Sequence, residues 1–78
     1  MRRLFAERLR AARITSGYET QKDLAEKLGV EHERYRMWER GDREPDITNL
    51  VNIADTLKIS LDFLLSGKRG LDSSRRAG

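Results

Sequence analysis

Between residues 31 and 43 the chain reads EHERYRMWERGDR, a crowd of groups that can bind but have little means to catalyse. Glu31 and Glu33 flank His32, and Arg34, Arg36, Arg40 and Arg43 follow within a few residues of one another. Ionised carboxylates only accept hydrogen bonds, whereas guanidiniums donate in a planar fork that matches phosphate and carboxylate oxygens. His32 is the lone histidine and cysteine is absent, so no zinc site of the usual donor set is expected. No nucleophile–base constellation, metal cluster or phosphate-cradling glycine loop accompanies it. Enzyme activity, a metal and a cofactor are therefore not expected, and His32 reads first as a polar surface residue.

These groups need helices to position them, and the apolar spacing supplies helices throughout. No stretch alternates long enough to suggest a sheet, so the fold class is all-α. A first helix over about residues 2–15 carries the stripe Leu4, Phe5, Leu9 and Ala12, with Arg2, Arg3, Arg8 and Arg10 on its other face and Gly17 as its stop. Thr20 is an expected N-cap, with Asp23 in the capping-box position. The short helix that follows, about 21–28, should bury Leu24, Ala25 and Leu28. Gly29 suits a left-handed C-cap, Val30 packs across the turn, and a third helix runs to about Arg40, where Gly41 ends it.

Within that third helix Tyr35 and Trp38 lie three apart and share a face, which reads as core packing rather than a stacking platform. Glu33, Met37 and Arg40 fall on the opposite side, flanked by Arg34 and Arg36. Pro45 bars helix just before it and Asp46 is free to cap a fourth helix, whose stripe is Ile47, Leu50, Val51, Ala54 and Leu57. Ser60 can cap a short closing helix through about Leu65, carrying Leu61, Phe63, Leu64 and Leu65.

At 78 residues there is room for one core. The expected division is a domain over 1–66 and a flexible basic tail over 67–78, since GKRGLDSSRRAG has a single large apolar residue. The formal charge is +3. Lys68, Arg69, Arg75 and Arg76 against Asp72 account for all of it, so residues 1–66 are neutral and any case for a polyanionic partner rests on where individual arginines sit. No apolar run suits a membrane span or a secretory signal, which makes the cytoplasm the expected compartment and a membrane an unexpected partner.

TQKDLAEKLGV (20–30), MWERG (37–41), Pro45 and ISLDFLLSG (59–67) occur in an order and spacing that resembles the phage repressor and Cro family of helix-turn-helix domains, over about residues 4–67. The resemblance implies a compact five-helix, lambda-repressor-like fold. It also implies a DNA-binding regulator in which the helix at 21–28 lies across the backbone and the helix at about 31–40 enters the major groove, with dimers reading two half-sites. Carried over by position, Gln21 would reach a phosphate or base edge and Lys22 would lie nearby. His32 would face DNA, and Arg34, Arg36, Arg40 and Arg43 would surround the groove-entering helix, where relatives place backbone contacts. Arg13 and Glu39 match a buried pair found in some relatives, and the closing helix near Phe63 would form a homodimer interface.

Glu31 and Glu33 depart from the small polar cap and neutral residues usual there. Acidic groups in a first helical turn suit the macrodipole, and a carboxylate at a base edge accepts from the cytosine amino group. Met37 offers methyl and dispersion contact. The expected function is thus sequence-specific binding of double-stranded DNA by a transcriptional regulator. The alternative is a protein-interaction module, such as an antitoxin or adaptor, marked by an apolar patch on the closing helix or near Met37. No small-molecule ligand is indicated.

Overall fold

The computed structural model describes the backbone of residues 2–66 and the side chains of residues 4–66. Five helices and no strand occur among them: α1 (Arg2–Thr15), α2 (Gln21–Leu28), α3 (His32–Arg40), α4 (Ile47–Leu57) and α5 (Leu61–Ser66). The expected tail over 67–78, and the side chains of Arg2 and Arg3, lie outside the described residues.

Local chemistry sets the helix ends. The Thr20 hydroxyl accepts from the Asp23 amide at 3.0 Å and the Asp46 carboxylate from the Asn49 amide at 2.9 Å, each satisfying a donor the first helical turn leaves unpaired. Ser60 does the same for Phe63 at 2.9 Å. Gly29 and Gly41 take left-handed conformations, φ 79° and 82°, and close α2 and α3 as the sequence predicts. The cap of α4 is instead Lys58, at φ 59°, a conformation that costs a side-chain-bearing residue energy and that no residue type announces. Glu31 is the extended N-cap of α3 but makes no side-chain capping bond.

The core joins all five helices: Phe5, Leu9 and Ala12 from α1, Leu24, Ala25 and Leu28 from α2, Tyr35 and Trp38 from α3, Ile53 and Leu57 from α4, and Leu64 from α5. Tyr35 and Trp38 meet edge to face at 5.9 Å, so they anchor α3 as the three-residue spacing implies. Some expected core positions are displaced. Leu4, Ile47, Val51 and Leu65 are all exposed, Ile47 at 62%, while Ala6 and Ile53 are buried in the interior. In α4 the buried stripe runs through Ile53, Ala54 and Leu57, and Leu50 is only half-buried. The helix is amphipathic as expected, but its packing partners rotate the buried arc toward Ile53.

Arg8, expected on a solvated face of α1, closes the molecule instead. Its Nε donates to the Leu64 carbonyl at 3.0 Å and its Nη2 to the Leu65 carbonyl at 2.7 Å, supplying donors to the end of α5 that its own helix cannot. Asn52 Nδ2 donates to the Leu28 carbonyl at 3.0 Å and ties α4 to the end of α2. No described helix is long and apolar enough to cross a membrane.

Candidate nucleic-acid interface

Because Tyr35, Trp38 and the Glu39 carboxylate hold one side of α3 inward, the other positions face outward. Glu31, His32, Glu33, Arg34 and Arg40 are exposed, and Arg36 and Met37 are half-buried. Glu31, Glu33, Arg34 and Met37 line a shallow concavity of about 420 Å³, completed by Arg43, Glu44, Asp46 and Asn49 from the segment leading into α4. Sequence reasoning missed Glu44, Asp46 and Asn49 as part of this surface. Pro45 and the Asp46 cap were the available signal, since they start α4 directly beside α3. His32, Arg36 and Arg40 are not part of its lining.

The charges on this face are partly paired among themselves. Arg36 Nη1 lies 3.0 Å from Glu33 Oε1, and Arg40 Nη2 lies 2.5 Å from Asp42 Oδ2. Arg34 and Arg43 take part in no ion pair among the described residues. No group of acidic and histidine side chains that could hold a metal occurs among the described residues.

On the inward side, Glu39 is the hub of a buried network that positions both motif helices. Arg13 Nε donates to Glu39 Oε2 at 2.7 Å, with side-chain exposures of 6% and 2%. The same guanidinium donates through Nη1 to the carbonyls of Tyr18 and Glu19, both at 2.8 Å, and so holds the α1–α2 connection. The Tyr35 hydroxyl also donates to Glu39 Oε2, which answers the need of a buried phenol for a partner. Gln21 Nε2 donates to Glu39 Oε1 at 3.0 Å. The glutamine that the resemblance assigns to DNA is therefore also fastened inward, with its remaining amide hydrogen and its carbonyl oxygen left to act. Lys22, beside it, is exposed.

Electrostatics follow this burial. Desolvation opposes the Arg13 charge, but the hydrogen bond and charge of Glu39 outweigh it, and the guanidinium holds its proton more firmly than usual. Burial first, then Glu39, pushes the Tyr35 hydroxyl well above the ordinary phenol range, with Arg13 pulling the other way. The side-chain polar atoms buried among the described residues all have partners. The network is thus complete without a ligand.

A helix-turn-helix family model matches residues 9–64, which span the buried network and the outward face of α3. The uncharacterized HTH-type transcriptional regulator YqaE of Bacillus subtilis is 42% identical over 65 residues, covering 83% of this chain and 55% of that protein. The SPbeta prophage-derived uncharacterized HTH-type transcriptional regulator YonR, also of Bacillus subtilis, is 39% identical over 64 residues, covering 82% of this chain and 58% of its own length. The cryptic phage CTXphi transcriptional repressor RstR of Vibrio cholerae is 42% identical over 45 residues, 58% of this chain and 40% of that one. The chain spans little more than half the length of the two Bacillus relatives. No solved structure matches. With the two motif helices, their Gly29 turn and the Arg13–Glu39 brace in place, the chain belongs to the helix-turn-helix family, of the phage repressor and Cro type.

Proposed function

We propose that this chain is a sequence-specific binder of double-stranded DNA that regulates transcription, without catalysis, in the cytoplasm. The observation that carries the reading is the division of α3: Tyr35 and Trp38 are buried, and the exposed side presents Glu31, His32, Glu33, Arg34 and Arg40, with Arg36 and Met37 half-exposed. Relatives named as transcriptional regulators and a repressor support it.

In this reading α3 enters the major groove, where Glu31 or Glu33 accepts from a cytosine amino group and Met37 meets a methyl group. Arg34, Arg36, Arg40 and Arg43 contact phosphates, joined from α2 by Lys22 and by the outward part of Gln21. The protein binds as a homodimer through α5, where Phe63 is half-buried and Leu65 is 44% exposed.

Selection from a random duplex library at low salt, with solution mass measured in parallel, tests both parts. Enrichment of a two-fold symmetric sequence is the expected result; no enrichment at any sequence sinks specific recognition. Arg40→Ala should weaken all duplexes together.

A second reading, a protein-interaction module, draws support from the exposed Leu4, Ile14, Ile47, Val51 and Leu65 on an otherwise neutral body. It requires that the same selection enrich nothing.

A further inference from the structure

We propose that Glu33 is an internal substitute for DNA phosphate, occupying Arg36 and so lowering the affinity of the α3 face for duplexes of arbitrary sequence. Asp42 does the same to Arg40. The inference rests on the DNA-binding reading above and adds a determinant of how selective that binding is.

The geometry is that of two exposed ion pairs on the face assigned to DNA. Glu33 Oε1 sits 3.0 Å from Arg36 Nη1, with side-chain exposures of 61% and 43%. Asp42 Oδ2 sits 2.5 Å from Arg40 Nη2, at 49% and 56%. A carboxylate and a phosphate present similar anionic oxygens to a guanidinium, so the two compete for the same donor fork. Affinity for DNA of any sequence comes mainly from phosphates neutralised by basic side chains. An arginine already held by a carboxylate adds less to that sum until its pair opens, and the carboxylate left behind faces a polyanion.

Opening such a pair is not prohibitive, because exposed ion pairs contribute little free energy in water. What differs between duplexes is the fate of the carboxylate. Where a base amino group faces Glu33, both halves of the opened pair find new partners: Arg36 a phosphate and Glu33 the amino group. On any other duplex only Arg36 does. The pair therefore penalises arbitrary sequence more than a site that presents the amino group.

The test uses the full 78-residue chain and fluorescence anisotropy on pooled random-sequence duplexes at low salt, for wild type, Glu33→Gln, Arg36→Ala and the double variant. Circular dichroism melting verifies that each remains folded. Glu33→Gln should tighten binding about threefold to fivefold, as expected for releasing one exposed pair. In the Arg36→Ala background that gain should shrink to less than half, because only the repulsion between the Glu33 carboxylate and the polyanion is then relieved. No gain from Glu33→Gln overturns the proposal, and so does an equal gain in both backgrounds, since the carboxylate would then act by simple repulsion and not through Arg36. If no protein in the set binds any duplex, the DNA-binding reading falls and this proposal with it.

Discussion

Two arginine–glutamate pairs of nearly equal length lie on opposite sides of the same helix. Glu39 receives Arg13 at 2.7 Å where both side chains are almost wholly out of water, whereas Glu33 receives Arg36 at 3.0 Å where both remain in it. Contact distance hardly separates them; surroundings do. In the interior the desolvation cost of each ion is large, so either partner alone is an uncompensated charge. At the surface water solvates whatever the pair releases, and the same contact becomes exchangeable. One pair therefore holds the motif together, and the other can open into water at little cost.

That contrast is most open to attack at Glu39. Glu39→Ala should cost about 3–5 kcal/mol, because it strands the buried Arg13 and also leaves Tyr35 and Gln21 without their acceptor. Chemical denaturation would measure it, and a wild-type midpoint would contradict a structural role for the buried pair.

Alkaline pH probes the same network from the tyrosine side. Above about pH 10, the ordinary phenol pKa, the unfolded chain releases the Tyr35 proton while the folded chain keeps it, so the folded state binds more protons. Stability contributed by Tyr35 is complete below that pH and falls as pH rises beyond it, by about 1.4 kcal/mol per pH unit. In Tyr18→Phe, which leaves Tyr35 as the only tyrosine, tyrosinate absorbance should appear together with loss of helical circular dichroism. Ionisation before unfolding would show the hydroxyl to be less enclosed than its contacts indicate.

Arg8 stands between the two extremes, partly buried and bonded to neutral carbonyls. Arg8→Ala should destabilise by about 1–2 kcal/mol through the lost charge-assisted bonds to the end of α5. Thermal melting monitored by circular dichroism gives the value, and a loss as large as that of Glu39→Ala would erase the distinction drawn here. The smallest effect is expected for Glu33→Gln, below about 1 kcal/mol by the same melt, since it removes one exposed pair and a favourable charge in the first turn of α3.

Much of this was legible because it is local. Thr20 with Asp23, Gly29, Gly41 and Asp46 act within a few residues of themselves, and each bounds a helix as its type suggests. The three-residue step from Tyr35 to Trp38 is enough to assign the inward face of α3. Arg13 and Glu39 came from resemblance, since nothing in composition joins residues 26 apart. The roles of Arg8, Asn52 and Lys58 were not legible: the first two cap helices distant in sequence, and the third takes a left-handed conformation that lysine does not advertise. The missed burial of Ile53 and exposure of Ile47 and Val51 have a related cause. A helical stripe shows that a face is apolar, but which of its edges is covered depends on the neighbours' positions.

Residue order thus determined the helices, their limits and the division of α3 into an anchored and an outward side, because capping, turn formation and helical periodicity act over at most a few residues. Tertiary structure decided which charges are spent on holding the domain and which remain available. Arg13, Arg8, Arg36 and Arg34 are chemically one residue type. Only packing, by setting the solvation of each guanidinium and the oxygens within its reach, makes the first a brace, the second a helix clamp, the third a paired surface charge and the fourth a charge without an ion-pair partner among the described residues.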